Sequence, residues 1–329
     1  MPHAPVPPTS VNVERAAQHL RDGRLVAFPT ETVYGLGANA CIGEAVAQIY
    51  AAKGRPAFNP LIVHVPDLET ARNYAQLNPL AERLASAFWP GGLTLVLEKI
   101  PGAGLSDLVS AGLSSVAIRV PDHAVARAVL TAAQCPVAAP SANRSGRVSA
   151  TTAAHVAADI DDPALAMILD DGPCRHGIES TILDVRADTL RLLRPGAVTL
   201  AAIRDVVGPS VRIDRAGDFD TGTAARTSPG QLSSHYAPSK SVRLDVTEST
   251  PDEALLAFGE PPADHTGCLI NLSPSANLVE AAANLFESLR QLDASPAKSI
   301  AVMPIPETGL GIAINDRLRR AAAPRPDTA

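Results

Sequence analysis

Residues 28–37 read FPTETVYGLG and continue the apolar run Leu25–Phe28. A short apolar run of this kind predicts a buried strand. The two glycines and three hydroxyl residues that follow suit a loop whose backbone approaches a ligand closely. An ordinary turn has a similar composition, so this segment alone leaves a binding loop and a plain turn open.

Strand-like and helix-like patterns alternate on both sides of this segment as far as Val207. A helix is predicted from its cap, Ser10, to about Arg21, with Gly23 ending it. Several connections are too short for parallel crossovers. We therefore predict an α/β domain with an open, twisted, mixed sheet over residues 10–208. Further strands are predicted at Leu61–Val65, Leu93–Leu97, Val116–Val120, Val137–Ala139, Met167–Leu169, Thr181–Val185 and Leu190–Leu193. Further helices are predicted at Glu44–Lys53, Pro79–Phe88, Ala124–Ala132 and Thr152–Ala158.

The rest of the chain predicts a tail, a linker and a second domain. Residues 1–9 are too rich in proline to fold alone, so we expect a disordered tail. Secondary-structure signals disappear over residues 209–238, a length that is unusual for a loop without a function. Over residues 239–329 the alternation of strands and helices predicts a smaller, Rossmann-like α/β domain. Its strands are predicted at Val242–Val246, Cys268–Asn271 and Ile300–Met303, and its helices at Glu253–Phe258, Ala276–Leu292 and Ile312–Ala322.

Composition and charge exclude several classes of protein. The chain has 46% apolar residues, 19% charged residues and a formal net charge of −6, with no run of lysine or arginine. Proteins that bind an RNA backbone usually carry a basic face, so we expect no stable tRNA binding. No apolar segment approaches the ~20 residues of a membrane span. Four scattered cysteines are predicted to be reduced core thiols, which places the protein in the cytoplasm. They are Cys41, Cys135, Cys174 and Cys268.

Two basic segments are candidates for binding anionic groups. Residues 53–60, KGRPAFNP, form a rigid turn between a predicted helix and a predicted strand. This turn suits triphosphate oxygens, although cations at the end of a helix also complement its dipole. Arg119 lies at the end of a predicted strand and needs an anionic partner if it is buried. A substrate carboxylate or a structural acidic residue would serve.

Three further polar segments are candidates for contacting a ligand. They are residues 139–149 (APSANRSGRVS), residues 177–184 (GIESTILD) with 193–196 (LRPG), and residues 228–238 (SPGQLSSHYAP). No segment carries a motif for a covalent nucleophile, a Walker lysine loop or a metalloprotease site. His64, His176 and His235 are too dispersed to predict a metal site, and Glu31 and Glu179 suit either acid–base or structural roles. Cations and neutral donors of this kind suit an adenylyl transfer that depends on orientation and electrostatics.

Taken together and in this order, the polar segments resemble those of the YrdC-like threonylcarbamoyl-AMP synthase family in its longer, two-domain form. PTETVYGLG, KGRP followed by NPL, PSAN with a following SG, and GIEST are together highly specific. SPGQ with SHYAP in the linker distinguishes the longer form. The resemblance covers nearly the whole chain. It implies a YrdC-like catalytic domain over 10–208, a linker or lid over 209–238 and a C-terminal domain over 239–329.

The resemblance also implies roles for individual residues. L-Threonine would contact Thr32, His64, Arg119, Ala139 and Ser180, with Arg119 holding its carboxylate. ATP would contact Arg55, Asn59, Ser115, Ser141, Ser149, Arg194, His235 and Tyr236. The catalytic set would be Lys53, Arg55, Ser141 and Asn143, with Lys53 near the phosphates and Asn143 near the reacting carboxy group.

The implied reaction joins L-threonine, bicarbonate and ATP into threonylcarbamoyl-AMP and pyrophosphate. Mg²⁺ would be bound by the triphosphate and not by protein side chains. The product would pass to a downstream threonylcarbamoyl-transferase machinery that modifies tRNA. A lid over the site would exclude water from a hydrolysable mixed anhydride. Two alternatives are a double-stranded RNA or nucleotide-binding module of the same fold and a carbamoyltransferase domain of the hydrogenase-maturation kind.

Overall fold

The computed structural model describes residues 4–56, 58–187, 189–215, 234–263 and 265–324. The strands of the N-terminal domain are β1 (Leu25–Phe28), β2 (Gly35–Asn39), β3 (Ile62–His64), β4 (Ala75–Gln76), β5 (Leu93–Lys99), β6 (Ser115–Arg119), β7 (Val137–Ala138), β8 (Leu165–Ile168), β9 (Thr181–Asp184), β10 (Leu190–Arg194) and β11 (Ile213–Arg215). Its helices are α1 (Ser10–Arg21), α2 (Gly43–Lys53), α3 (Leu68–Ala71), α4 (Pro79–Phe88), α5 (Asp107–Ser110), α6 (Ala124–Ala133), α7 (Ala153–Asp159) and α8 (Leu200–Val207). The C-terminal domain contains β12 (Ser241–Arg243), β13 (Glu253–Ala257), β14 (Leu269–Asn271), α9 (Leu278–Ala294), β15 (Ser299–Val302) and α10 (Gly311–Ala322).

The N-terminal domain is built on one large mixed sheet. Within the described ranges its strand order is β11-β10-β9-β5-β6-β3-β7-β2-β1-β8, with β4 paired to β5 beside this path. The pairs β3–β6 and β5–β9 are parallel, whereas β5–β6 and β1–β2 are antiparallel. The prediction of an α/β domain with an open, mixed sheet is therefore confirmed.

Helices cover both faces of this sheet at the end that contains β1. Side chains that follow each other along a strand point to opposite faces. Val26 and Phe28 pack in a cluster with residues of α1 and α6, whereas Leu25 and Ala27 belong to the cluster that contains residues of α2 and α4. Burial on both faces explains why β1 is apolar throughout.

A small third cluster consists of strand residues only. Its members are Ile62, Val96, Ala117, Ile182 and Leu193. His64 and Arg119 each follow a member of this cluster by two residues, so their side chains lie on the same face of the sheet. This face of β3 and β6 is where the polar segments meet.

The C-terminal domain has a four-stranded parallel sheet in the order β12-β15-β13-β14. Leu256 and Val302 pack in one cluster with residues of α9 and α10. Leu255 and Ala301, on the opposite face, pack with Val246. The parallel order is compatible with the predicted Rossmann-like domain, and both described helices of the domain pack on one face.

The helix predicted at Glu253–Phe258 is wrong, because Glu253–Ala257 forms strand β13 in the middle of the second sheet. All five residues of this strand are buried. A short apolar run that is buried on both faces shows no alternation, so its periodicity does not distinguish a strand from a helix.

The expectation of a disordered tail over residues 1–9 is wrong for residues 4–9. The Val6 amide donates to the Ile168 carbonyl at 2.9 Å, and the Val6 carbonyl accepts from the Asp170 amide at 2.8 Å. Thr9, not Ser10, is the cap of α1, and its side chain accepts from the Asn12 amide. Residues 1–3 lie outside the described residues.

Two strands occupy segments that were expected to be loops. Strand β2 lies in the second half of the FPTETVYGLG motif and pairs with β1, so the motif is a strand, a turn and a second strand. Strand β11 pairs with β10 inside the segment predicted to be a linker. Glycines and prolines in these segments favoured a loop prediction, which the pairing with neighbouring strands overrides.

The cysteines are all free, as predicted, although they are not all in the core. Cys41 and Cys268 are exposed, and Cys174 is buried. The expectation of core thiols is therefore wrong for the two exposed residues. No helix in the described ranges combines the length and the apolar character that crossing a lipid bilayer requires.

Candidate active site

One cavity brings together most of the residues that the resemblance implied. It is lined by Thr32, Arg55, His64, Arg119, Ala139, Ser141, Ser180, Arg194, His235 and Tyr236. Four other residues complete the lining: Val33, Ile62, Pro140 and Glu179. Residues from the N-terminal domain and from the linker therefore share a single hollow.

Strand ends position the charged residues of this cavity. Arg119 and His64 are the last residues of the parallel strands β6 and β3, and they lie opposite each other in the sheet register. Ser180 directly precedes β9 and Arg194 ends β10. Because β9 and β10 are antiparallel, these two residues also meet at one edge. The Arg194 guanidinium donates to the Ser180 carbonyl at 2.8 Å and to its hydroxyl at 3.1 Å.

Arg119 already has an acidic partner within the protein. Its Nη2 donates to Oε1 of Glu31 at 2.6 Å, and its Nε donates to the Gly91 carbonyl at 3.2 Å. The side chains of Arg119 and Glu31 are only 4% and 1% exposed. Oε2 of Glu31 is buried without a hydrogen-bond partner in the described structure. A structural acidic residue is therefore present, and Arg119 still borders the cavity where a second carboxylate can bind.

His64 and His235 contribute no charge to the cavity near neutral pH. Burial, and then the nearby Arg119, lower the pKa of His64 from 6.5 to about 3. Burial, followed by Arg55, Lys53 and Arg194, holds the pKa of His235 well below its usual value. Both imidazoles are therefore hydrogen-bonding groups and not counterions.

Lys53 binds the loop that carries Ser141 and does not line the cavity. Its ammonium donates to the carbonyls of Ser141 and Asn143. Burial, followed by the nearby Arg55, lowers the pKa of Lys53 well below 10.5. Asn143 also lies behind the lining, and its Oδ1 is buried without a partner. In this conformation Lys53 holds the 141–143 loop in place.

The basic turn places Arg55 in the cavity and Asn59 behind it. Arg55 donates through Nε to the Asn59 carbonyl and through Nη2 to the Pro60 carbonyl. Burial is the main reason why the pKa of Arg55 is lowered to about 10. Asn59 is 1% exposed, and neither atom of its side-chain amide has a hydrogen-bond partner among the described residues. An unsatisfied buried amide of this kind is available for a ligand.

Neither Ser115 nor Ser149 lines the cavity. Ser149 lies close to it, whereas Ser115 lies farther away on the same face of the sheet. Ser115 begins β6 and shares a face with Arg119, four residues and about 13 Å along the strand. Ser149 is fully buried, and its hydroxyl donates to Oε1 of Glu179 at 2.5 Å. The structure therefore brings Ser149 close to the cavity through Glu179, whereas Ser115 marks a more distant position on the same face.

The end of the linker enters the cavity. His235 and Tyr236 are 6% and 1% exposed. The Tyr236 ring stacks on Phe286 of α9 with 5.5 Å between centroids, and the Ala237 amide donates to the Gly146 carbonyl at 2.9 Å. Residues 216–233, most of the predicted linker, lie outside the described residues.

Arg317 of the C-terminal domain was missed in the sequence, although it reaches the edge of this site. Its Nε donates to Oε2 of Glu179 at 2.9 Å, and its guanidinium carbon lies 5.3 Å from the centre of the Tyr236 ring. Arg317 is fully buried on α10 between Ile314 and Leu318. A cation within the apolar stripe of a helix was the available signal, because such a residue needs a buried partner.

Arg317 also determines the charge of Glu179. Burial alone would raise the pKa of Glu179, but Arg317, Arg194 and the Ser149 hydroxyl together lower it. Glu179 is therefore ionised and paired. A second arginine from the same domain, Arg290 on α9, donates to the carbonyls of Val148 and Ser149. Two arginines of the C-terminal domain thus hold the segments that carry Glu179 and Ser149.

The cavity suits anions better than metal ions. Arg55, Arg119 and Arg194 line it, with Glu179 as the acidic residue of the lining. Glu31 and Glu179, the two carboxylates beside it, are each paired with an arginine. No group of His, Cys, Asp and Glu residues in the described ranges could hold a metal ion.

Two family models match consecutive parts of the chain. The Sua5/YciO/YrdC model, described as telomere recombination, matches residues 18–196. The model described as the C-terminal domain of threonylcarbamoyl-AMP synthase matches residues 198–323.

Relatives of known sequence and structure extend these matches over the linker. The threonylcarbamoyl-AMP synthase of Bacillus subtilis is 41% identical over 95% of this chain and 93% of that protein. The crystal structure of Pyrococcus abyssi Sua5 complexed with L-threonine superimposes with a TM-score of 0.85, 38% identity and 95% coverage of both chains. A putative threonylcarbamoyl-AMP synthase of Mycobacterium tuberculosis is 38% identical over 90% of its own length, but over only 60% of this chain. Both the sequence and the structural similarity thus include relatives with the complete two-domain arrangement.

Proposed function

The chain belongs to the threonylcarbamoyl-AMP synthase family in its two-domain form, and from this premise we propose that it converts L-threonine, bicarbonate and ATP into threonylcarbamoyl-AMP and pyrophosphate. One observation carries this proposal. Arg119, Arg55 and Ser141 line the same cavity, so a carboxylate and a polyphosphate can lie side by side. The P. abyssi relative was crystallised with L-threonine, which supports an amino acid as one of the substrates.

We place threonine at the edge formed by β3 and β6. Arg119 holds its carboxylate, because the guanidinium is fixed by Glu31 and Gly91 and still borders the cavity. Thr32, Ala139 and Ser180 offer small neutral contacts beside it. His64 is uncharged and therefore supplies hydrogen bonds without repelling the substrate ammonium.

We place ATP on the remaining part of the same face. Arg55 and Arg194 face the phosphates, and Ser141 lies on the loop that Lys53 holds. The unsatisfied amide of Asn59 and the more distant Ser115 are available to the rest of the nucleotide. Arginines suit this role because the planar guanidinium binds two phosphate oxygens at once.

The reaction forms one C–N bond and one P–O bond. The ammonium of threonine first gives a proton to solvent. The neutral amine then attacks the carbon of bicarbonate, and a second proton of the amine leaves with the hydroxyl group as water, which gives a carbamate. A carbamate oxygen then attacks the α-phosphorus of ATP. The bond from that phosphorus to its bridging oxygen breaks, and pyrophosphate leaves. The residues of the cavity orient the two substrates and stabilise negative charge on the phosphates.

Mg²⁺ belongs to the ATP and not to the protein in this proposal. The carboxylates beside the cavity are paired with Arg119 and Arg317, so the described part of the chain offers no unpaired carboxylate there. When bound to the triphosphate, Mg²⁺ neutralises part of the charge on its oxygens. Asn143 keeps an unpaired Oδ1 beside the loop of Ser141, which supports its predicted place near the reacting carboxy group.

The linker acts as a lid over the nucleotide. His235 and Tyr236 line the cavity and leave about 50 Å³ of free space, whereas a cavity of ~150 Å³ is needed for a benzene ring. ATP can enter only if these residues move aside, and their return would exclude water from the mixed anhydride.

Replacing residues 229–237 by a Gly/Ser loop is expected to reduce product formation at least about 100-fold, the scale at which misplaced positioning groups act. Unchanged turnover by this variant would contradict the lid.

The product is proposed to pass to a downstream threonylcarbamoyl-transferase machinery that modifies tRNA, without stable tRNA binding by this chain. The net charge of −6 supports this delivery of a small molecule. A cytoplasmic location is supported by the free cysteines, since reduced thiols are typical of that compartment.

Pyrophosphate release tests the proposed reaction. The full chain is incubated with ATP, Mg²⁺ and bicarbonate, with each amino acid in turn, and release is expected with threonine and to require bicarbonate. Release that does not depend on threonine would overturn the proposal. A steep salt dependence of RNA affinity without ATP turnover would instead support a double-stranded RNA-binding module.

A further inference from the structure

A second cleft lies in the C-terminal domain and shares no lining residue with the catalytic cavity. Its volume is about 200 Å³, compared with about 50 Å³ for the catalytic cavity. A cavity of ~150 Å³ admits a benzene ring, so this cleft has room for a ligand of about six to ten non-hydrogen atoms. It is a candidate site for a small molecule.

The cleft lies where parallel sheets usually bind their ligands. Leu244 and Asp245 follow the end of β12, and Met303 follows the end of β15. Leu318 of α10 closes the cleft on the other side. The carboxyl edge of an open parallel sheet is the usual ligand site in α/β folds, because the loops after the strands diverge there.

One side of the cleft is apolar, although polar atoms make up most of the surface that the cleft exposes. Five apolar side chains form this side: Leu244, Val302, Met303, Ile305 and Leu318. Three of them are nearly fully buried, with exposures of 1% for Val302, 6% for Ile305 and 2% for Leu318. The apolar side suits a short hydrocarbon body, and the polar surface around it suits a charged group.

The polar rim of the cleft has a net negative charge. Glu307 and Arg319 form an ion pair with each other, so their charges cancel. Asn315 donates through Nδ2 to the Ile305 carbonyl at 2.9 Å, which leaves its Oδ1 as an acceptor. Asp245 has no hydrogen-bond or ion-pair partner among the described residues that would neutralise its carboxylate. Among the described residues, the rim therefore offers acceptors and no unpaired cation.

The backbone at Asp245 is also unusual. Its φ of 56° lies in the left-handed region, which aspartate adopts more readily than most residues other than glycine. The next residue, Val246, is tied to β15 because its amide donates to the Val302 carbonyl at 3.0 Å. The sheet therefore fixes the conformation that presents the Asp245 carboxylate at the cleft.

We propose that this cleft binds a small organic cation, a primary ammonium group on an apolar body of about five carbons. The ammonium donates to the carboxylate of Asp245 and to Oδ1 of Asn315, and the apolar body packs against the apolar side of the cleft. Anionic ligands are disfavoured because Arg319 already has a partner in Glu307. The same helix, α10, carries Arg317 toward Glu179, so the site lies on the helix that reaches the catalytic cavity.

Three ligands of equal length test the charge preference on the full-length protein. n-Pentylammonium, 1-pentanol and pentanoate are each titrated at low salt, and binding is followed by two-dimensional NMR. For six heavy atoms we expect a Kd on the order of 1 mM for the ammonium. It should be about threefold tighter than that of the alcohol, the scale of an exposed ion pair, with pentanoate binding most weakly.

The variant Asp245→Asn identifies the residue responsible. Asparagine adopts the left-handed region as readily as aspartate, so the fold is expected to be retained. The variant should bind the ammonium and the alcohol equally. Asp252→Asn is the matched control, because Asp252 lies at the opposite edge of the same sheet and pairs with Lys298 at 2.6 Å. Its preference for the ammonium should be unchanged.

Three results would overturn the proposal. They are equal binding of the three ligands by the unmodified protein, no binding of the ammonium at tens of millimolar, and an unchanged ammonium preference in Asp245→Asn. The first two need no variant, so a folding defect in Asp245→Asn does not prevent the test. All three outcomes are independent of threonylcarbamoyl-AMP synthesis, which is measured separately by pyrophosphate release.

Discussion

At the scale of single residues, Arg119 connects burial with the proposed recognition of the substrate carboxylate. Its guanidinium is 4% exposed and is compensated by Glu31 at 2.6 Å. An arginine this buried would be costly without a partner. With Glu31 in place the charge is tolerated and its orientation is fixed before a substrate carboxylate arrives. The same pair therefore stabilises the fold and prepares the site.

Replacing Arg119 by glutamine is expected to raise the KM for threonine by about 30- to 1,000-fold. Truncating one partner of a buried charged pair costs about 2–4 kcal/mol, and each 1.4 kcal/mol is a factor of ten. The measurement is pyrophosphate release as a function of threonine concentration, with the KM for ATP expected to change much less.

Two further variants separate recognition from stability. Arg175→Gln is the matched control, since Arg175 is 65% exposed and pairs with Asp122 at the surface; its kinetics should match those of the unmodified protein. Arg119→Gln alone leaves the Glu31 carboxylate buried without a counterion. The double variant Arg119→Gln/Glu31→Gln removes this charge, so it should be more stable than Arg119→Gln but bind threonine no better. A normal threonine KM in Arg119→Gln would show that another group binds the carboxylate.

The buried histidines predict how stability depends on pH. The pKa of His64 is lowered to about 3, and that of His235 lies well below 6.5. Below pH 6.5 the unfolded chain therefore binds protons that the folded protein does not. The contribution of the two neutral histidines to stability is complete above pH 6.5. It decreases as the pH falls toward their pKa values in the folded protein. Each histidine contributes a slope of up to about 1.4 kcal/mol per pH unit.

His64→Gln tests this pH dependence because glutamine does not titrate. Urea unfolding at pH 7, 6 and 5 should give a smaller loss of stability in acid for the variant than for the unmodified protein. Identical losses would mean that His64 is protonated in the folded state.

At the scale of secondary structure, Gly37 allows β2 to pack between its neighbours. A Cβ at this position would lie 2.7 Å from Cε1 of Phe28 and 2.9 Å from Cγ1 of Val137. Gly37 pairs with Val26 on β1, so the strand cannot move away without losing its register. The glycine that favoured a loop prediction is required by close packing within a sheet.

Gly37→Ala is expected to lower the free energy of unfolding by about 1–3 kcal/mol, the usual cost of overpacking. Gly43→Ala is the control, because the nearest atom to its added Cβ is the Ser106 hydroxyl at 3.6 Å. Urea unfolding of both variants measures the difference. Equal stability of the two would show that Phe28 and Val137 can move aside.

At the scale of the whole molecule, the C-terminal domain is part of the site's support. Arg317 pairs with Glu179 and lies beside the Tyr236 ring, and Arg290 holds the segment of Ser149. The linker residue Tyr236 also stacks on Phe286 of the C-terminal domain. Docking of the two domains therefore positions three elements around the nucleotide side of the cavity.

Arg317→Met is expected to lower the free energy of unfolding by about 3–5 kcal/mol, because it leaves Glu179 buried without its counterion. It should also raise the KM for ATP. Lys298→Gln is the control: Lys298 pairs with Asp252 in the same domain, and their side chains are 79% and 65% exposed, so its loss should cost much less stability than that of Arg317. Urea unfolding and ATP kinetics check both variants. An unaltered KM for ATP in Arg317→Met would limit Arg317 to a structural role.

Much of the fold and of the cavity was predictable from local sequence. The apolar runs predicted β1 and most of the other strands because a strand buried on both faces must be apolar throughout. Local sequence singled out the segments that carry Arg55, Arg119, Ser141 and Ser180, and the family resemblance implied their individual roles; these four residues line one cavity. Strand β13 was predicted as a helix, because a short run buried on both faces carries no period.

Only the tertiary structure decided how the charges are paired. Arg119 and Glu31 are 88 residues apart, and Arg317 and Glu179 are 138 residues apart. Local periodicity reports burial within a few residues, whereas these pairs form because the sheet and the docked domain bring distant segments together. The sequence therefore determined which segments gather at the ends of the strands, and the folded chain determined which of their side chains reach the cavity and which are neutralised by a distant partner.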